Sequence, residues 1–121
     1  MSKRILVVED HEDNRQILRD LLGSAGYEMI EAGNGQDGVA AAATEHPDLI
    51  LMDIQLPILD GYEATRQIKA DPALSAIPII VVTSYALSGD EEKARIAGCD
   101  AYVAKPYSPR QLLARIRDFL D

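Results

Sequence analysis

Five β–α units wound into one parallel α/β sheet, with helices on both faces, are what this sequence predicts. Three observations carry that expectation. Short apolar runs alternate with helix-period stretches along all 121 residues. The connections between them are short, as parallel strands joined by helical crossovers require. Polar and acidic side chains cluster where the apolar runs stop, at Glu9, Asp10, Asp53, Thr83 and Lys105.

The elements follow in order. RILVVE (4–9) reads as the first strand, and Ile17, Leu18, Leu21, Leu22 and Ala25 stripe one face of the helix after it. YEMIE (27–31) is a short second strand. Gly33-Asn34-Gly35 is a turn and helix start; it lacks the lysine and the following Ser/Thr of a nucleotide cradle. DLILMD (48–53) contains four consecutive apolar residues, Leu49 to Met52, the pattern of a strand buried on both faces. Asp60-Gly-Tyr-Glu63 resembles a capping box for the third helix. PIIVVT (78–83) is the fourth strand, and Ser88-Gly-Asp-Glu91 caps the fourth helix. AYVA (101–104) is the fifth strand. Ser108-Pro-Arg-Gln111, with proline at the first helical position, opens a helix striped by Leu112, Leu113, Ile116, Phe119 and Leu120. No internal repeat or linker divides the chain, so residues 1–121 are expected to be one domain without an appended output domain.

Composition narrows the function. The hydrophobic fraction is 47% and the charged fraction 26%, ordinary for a soluble globular protein. A lone cysteine, Cys99, excludes an internal disulfide, fits a reducing cytoplasm, and reads as a small inert residue. No amino-terminal stretch resembles a signal peptide, and no apolar run approaches the ~20 residues of a membrane span. The net charge is −8, and residues 1–60 carry all of it, with 4 Lys/Arg against 12 Asp/Glu. Such acidity repels phosphate backbones and argues against direct nucleic-acid binding; it fits a cation site or a solvated face.

Position gives the acids a purpose. With strand order 2-1-3-4-5, the order reverses between strands one and three, and ligands bind above that switch point. Glu9, Asp10 and Asp53 would meet there, flanked by Thr83 and Lys105. Like-charged carboxylates ~4 Å apart repel by on the order of 4 kcal/mol at an effective dielectric of 20. A hard cation such as Mg²⁺ relieves that repulsion through oxygen ligands. Lys105 offers a mobile positive charge to an anion and Thr83 a hydroxyl donor. A carboxylate so placed is set to attack a phosphoryl group, which makes Asp53 the candidate nucleophile. His11 borders the cluster and His46 precedes Pro47, but their spacing offers no metal site of their own.

ILVVED, PDLILMDIQLPILDG, IPIIVVTS and GCDAYVAKP together resemble the receiver domain of two-component response regulators, over the whole chain. The resemblance implies a flavodoxin-like (βα)5 fold, with Asp53 as the phosphoacceptor. Mg²⁺, or Mn²⁺ in its place, would be held by Glu9, Asp10, Asp53 and the backbone carbonyl of Gln55. Thr83 and Lys105 would contact the phosphoryl oxygens, and the Lys105–Pro106 bond would be cis. Thr83 and Tyr102 would form the switch that alters the face built from helix four, strand five and helix five. Gln55 and Tyr85 would tune the path of the attacking water, the Tyr85 ring making self-dephosphorylation slow. Glu9 stands where many members carry Asp, and Tyr107 where phenylalanine is frequent.

The implied partners are a histidine kinase or histidine phosphotransfer domain, facing Asn14, Arg15, Leu18 and Leu22, and a downstream protein target. The chain would be a cytoplasmic monomer or weak dimer, without membrane insertion, acting by protein contact or passing phosphate along a relay. GDEEKARIAGCDAY and MDIQLP look most like single-domain cell-cycle receivers and the receivers of hybrid kinases. Two rivals share the fold. A phosphorylation-independent adaptor would have no use for the complete acid set, Thr83 and Lys105. A flavin carrier would need a phosphate-binding loop after strand one, where EDHEDN (9–14) would repel phosphate.

Overall fold

A computed structural model describes residues 2–83 and 90–120. Five strands and five helices alternate: β1 (Arg4–Val8), α1 (Glu12–Ser24), β2 (Glu28–Ala32), α2 (Gly35–Glu45), β3 (Leu49–Met52), α3 (Gly61–Ala70), β4 (Ile79–Thr83), α4 (Asp90–Ala97), β5 (Ala101–Ala104) and α5 (Pro109–Leu120). The strands pair in parallel in the order β2-β1-β3-β4-β5, the doubly wound flavodoxin-like arrangement. Three predicted strands end one residue sooner or begin one later than the sequence patterns, and β2 is shifted forward by one. Glu9 and Asp53 therefore lie just beyond β1 and β3 instead of closing them.

Burial explains the apolar runs. All of Leu49–Met52 and of Ile79–Thr83 is buried, as central strands covered on both faces must be. Alternation splits the core in two. Leu6, Val8, Ile50, Met52, Ile79 and Val81 pack under one helical layer with Ala64 and Ile68, while Ile5, Val7, Leu49, Leu51 and Ile80 pack under the other with Leu22, Leu112 and Ile116. The predicted stripe of α1 is too broad by one residue. Leu18 and Leu22 are buried, but Ile17 is 59% exposed.

The caps form as their chemistry dictates. Asp60 accepts from the Glu63 N–H at 2.9 Å, and the Gln111 N–H donates to Ser108 Oγ at 3.1 Å while the Ser108 N–H reaches Gln111 Oε1 at 3.4 Å. Asn34 caps α2 by accepting from the Asp37 N–H at 2.7 Å. The Ser88 box falls largely outside the described residues.

At the amino-terminal edge of the sheet, Lys69 joins three segments. Its ammonium donates to the carbonyls of Ile77 (2.8 Å) and Ser75 (3.1 Å) and pairs with Asp100 at 2.8 Å; the same Asp100 oxygen accepts the Ile79 N–H. Lys69→Met would leave those acceptors without their cation, at an expected cost of about 2 kcal/mol. An unchanged urea midpoint would refute that estimate.

Candidate functional site

The carboxyl ends of β1, β3 and β5 deliver three charged side chains to one place. Glu9, nearly fully buried at 3% exposed, follows β1; Asp53 follows β3; Lys105 follows β5. Lys105 Nζ lies 3.1 Å from Glu9 Oε1 and 3.9 Å from Asp53 Oδ2. The lysine is therefore tied to Glu9 first and to Asp53 second. Its N–H donates to the Thr83 carbonyl at 2.6 Å, which fixes β5 against the end of β4. The Lys105–Pro106 peptide is cis.

Glu9 is held on every side. Its N–H donates to the Ala32 carbonyl at 3.0 Å, and its carbonyl accepts Arg15 Nη1 at 2.6 Å. Its Oε1 accepts from Asn14 at 3.0 Å as well as from Lys105, and its Oε2 from the His11 N–H at 3.3 Å. Arg15 is in turn fixed by Glu12 at 2.6 Å and Glu31 at 3.2 Å. Sequence reasoning assigned Asn14 and Arg15 to a partner surface and missed this grip. The available signal was their position one turn into α1, above the end of β1.

The electrostatics divide the two carboxyls. Burial pushes the Asp53 carboxyl up to about 7, and the neighbouring Glu9 charge pushes the same way; Lys105 opposes both without prevailing. Burial also raises Glu9, but Lys105 and hydrogen bonds from Asp53, Lys105 and the His11 N–H outweigh it and hold the carboxyl at about 2. Of the two carboxyls, Glu9 is therefore the one held charged, and Asp53 the more easily protonated. The Tyr107 hydroxyl is raised by burial and then by Glu9, and the Cys99 thiol by burial and then by Asp100.

Asp53 is aimed by its own loop. The Ile54 N–H donates to Asp53 Oδ1 at 2.8 Å, and the Gly61 N–H returns to the Ile54 carbonyl at 2.8 Å. Between them the Leu59 N–H closes on the Pro57 carbonyl at 2.8 Å around Ile58, whose φ is 73°. That is a γ-turn of the rarer, strained kind, carried by a β-branched residue that is three-quarters exposed. The turn brings Gly61 beneath Asp53 so closely that a Cβ there would overlap the Asp53 carbonyl oxygen.

The donor set suits a cation. Among the described residues, the His, Cys, Asp and Glu side chains that bring three ligand atoms within 4.8 Å of one another are Glu9, Asp10 and His11. Asp10 Oδ1 is shut off from solvent and receives no hydrogen bond, a costly state for a carboxylate oxygen unless a cation meets it. Asp53 lies outside that group although Lys105 reaches both it and Glu9. Gln55 is exposed two residues beyond Asp53. Thr83 is fully buried, and Tyr102 is half-buried against the cluster that contains Leu74 and Ile79. Tyr85 lies outside the described residues.

A groove of about 530 Å³ runs from Glu9 and Lys105 along α1 to the start of α5, lined by Asn14, Ile17, Tyr107 and Pro109 among others. Of the side chains expected on the partner-facing surface, Leu22 is buried against the sheet, whereas Leu18, though mostly covered, still lines this groove beside the exposed Ile17.

Comparison with known proteins agrees on family and fold. The sequence pattern of the response regulator receiver domain matches residues 5–117. The polar-differentiation response regulator DivK of Brucella ovis is 45% identical over 120 residues, covering 99% of this chain and 98% of its own. The receiver domain of the sensor histidine kinase PA1611 from Pseudomonas aeruginosa PAO1, solved with a magnesium ion coordinated in its active-site cleft, is 38% identical. It superposes with a TM-score of 0.93 and covers 99% of this chain and 98% of its own. A CheY-like receiver domain protein of Methanospirillum hungatei JF-1 is 34% identical, with a TM-score of 0.93 over 100% of this chain and 95% of its own.

Proposed function

Because the chain belongs to the response regulator receiver domain family, we propose that it accepts a phosphoryl group on Asp53 from a histidine kinase or phosphotransfer protein, and so switches its contact with a partner. The observation that carries this reading is the meeting of Glu9, Asp53 and Lys105 at the ends of three strands. In the reaction, an Asp53 carboxylate oxygen bonds to phosphorus as the P–N bond of the donor phosphohistidine breaks, and the departing imidazole nitrogen takes up a proton. Asp53 reacts as its carboxylate. Lys105 then moves the short distance from Glu9 to the phosphoryl oxygens. Glu9, Asp10, Asp53 and the Gln55 carbonyl are the proposed ligands of Mg²⁺, with Mn²⁺ as a substitute. When bound there, such an ion would neutralise the crowded carboxylate oxygens and offset charge on the phosphoryl group.

The donor is proposed to dock along the groove over Asn14 and Ile17, which opens directly onto Glu9 and Lys105. Phosphate then remains to act on a protein target or passes along a relay. No helix among the described residues is long and apolar enough to cross a membrane. Thr83 and Tyr102 are the proposed couple that transmits the change to α4, β5 and α5. Tyr102→Ala is expected to abolish the difference in partner affinity between the phosphorylated and unphosphorylated protein. A mutant that still distinguishes the two states would remove Tyr102 from the switch.

Intact mass after incubation with acetyl phosphate tests the central claim. One added phosphate that requires Mg²⁺, disappears with EDTA and is absent from Asp53→Asn is expected. No added mass, with no spectral change on adding beryllofluoride, would favour the phosphorylation-independent adaptor.

A further inference from the structure

We propose that Asn14 holds Glu9 in place when Lys105 leaves it, which makes Asn14 a positioning residue for the phosphoryl site. The inference rests on the proposed movement of Lys105 from Glu9 to the phosphoryl oxygens, and supplies what that movement lacks. One oxygen carries the argument. Glu9 Oε1 accepts from Asn14 Nδ2 at 3.0 Å and from Lys105 Nζ at 3.1 Å, while Oε2 accepts the His11 N–H at 3.3 Å. Glu9 is nearly fully buried, so bulk water is a poor substitute for either donor.

Departure of Lys105 removes a charge and a hydrogen bond together. A buried carboxylate whose cation has gone is strongly unfavourable, and the donors left on it decide how much of that penalty remains. Asn14 is suited to the task. It lies in the first turn of α1, where the helix fixes its backbone, and its short side chain reaches back five residues to Glu9. Glu9 paired with Lys105 offers acceptors alone, so the amide nitrogen is the end that faces it. The amide is also neutral. A lysine or arginine there would compete with Lys105, and an acid would repel Glu9. An amide donates to Glu9 whether Lys105 is near or gone, and leaves the charge of the cleft as it is. Asn14 also lines the groove proposed for the donor protein, so slower transfer from a kinase would not separate holding from docking. Stability and a small phosphoryl mimic separate them.

A double-mutant cycle of Asn14→Leu and Lys105→Met, read by urea denaturation in EDTA, is the first test. Leucine keeps the branching of asparagine and removes the donor. Asn14→Leu alone is expected to raise the unfolding constant by less than about tenfold. In the Lys105→Met background the same substitution should raise it by at least about tenfold more. Equal rises in the two backgrounds would mean that Asn14 is merely structural, and would overturn the proposal. Failure of the double variant to fold while both single variants fold would be the same coupling in its extreme form, and would support it. The second test is beryllofluoride with Mg²⁺, which draws Lys105 as a phosphoryl group would and needs no protein donor. Its affinity should fall at least about fivefold in Asn14→Leu. Affinity equal to wild type would overturn the proposal, because Glu9 would then need no holder once Lys105 has moved. If wild type took up no beryllofluoride, the phosphoryl reading of Asp53 would fail, and the denaturation cycle would still decide the role of Asn14.

Discussion

Gly61→Ala is expected to destabilise the protein by about 3 kcal/mol, the upper end of ordinary overpacking, and to slow phosphorylation of Asp53 at least tenfold. The argument is spatial, because Gly61 has no positive φ to protect. An added Cβ would overlap the Asp53 carbonyl oxygen and come within 2.7 Å of the Ile54 Cα and 2.9 Å of the Asp53 carbonyl carbon. All three are backbone atoms and cannot rotate aside as a side chain would. Either α3 withdraws from the end of β3, or the Asp53 main chain is displaced. Withdrawal breaks the 2.8 Å bond from the Gly61 N–H to Ile54, and displacement moves the nucleophile. A shift of about 1 Å at a reacting group lowers rates by up to ~100-fold. Gly23→Ala is the control. Nothing lies within 4 Å of a Cβ there, and the residue is inside α1, so it should stabilise the protein by ~0.5–1 kcal/mol. Urea denaturation and acetyl-phosphate labelling of the two variants give the comparison. A Gly61→Ala protein that melts and labels like wild type would remove the packing argument.

Much of this was legible in the sequence, for identifiable reasons. Burial on both faces leaves its mark in four apolar residues at Leu49–Met52, and the place where that run stops puts Asp53 at the sheet's carboxyl edge. Caps are local chemistry, so Asp60 and Ser108 could be read directly. What escaped depends on contacts between distant segments. The tie from Lys105 to Glu9 spans 96 residues and reflects the extra reach of glutamate where aspartate is common. Arg15 could not be seen holding the Glu9 carbonyl, because a main-chain acceptor leaves no trace in sequence. Gly61 looked like an ordinary first residue of a helix until the closeness of the Asp53 backbone was known. Ile58 carries no sign of its left-handed conformation, since a β-branched residue is the last one expected there. Ile17 matched the helix period and still faces solvent, because α1 rolls its stripe towards Leu18 and Leu22.

Without divalent cations, Asp53→Asn is expected to raise the melting temperature, and the gain should widen as pH rises from 5 to 8. The sign follows from the two proton affinities. Burial beside Glu9 pushes the Asp53 carboxyl up to about 7 in the folded protein, well above the 3.8 of an exposed aspartate. Between those values the folded state holds a proton that the unfolded state has released, so this group's contribution to stability falls as pH rises and is fully unfavourable above 7. Glu9 runs the other way. Lys105 and its hydrogen bonds hold it at about 2, below the 4.5 of an exposed glutamate, so it stabilises above 4.5 and that contribution is lost only in strong acid. The pH 5–8 window therefore reports Asp53. Asparagine removes its charge while leaving Lys105 its nearer partner, Glu9. The expected gain is on the order of a few kcal/mol at pH 8 and much less at pH 5. Thermal melts in EDTA at both pH values decide the matter. A gain equal at both would mean that Asp53 is ionised throughout, and a loss at pH 8 would mean that its pairing with Lys105 outweighs its burial beside Glu9. Saturating Mg²⁺ should close the gap from the wild-type side, because the cation relieves the same repulsion that the substitution removes.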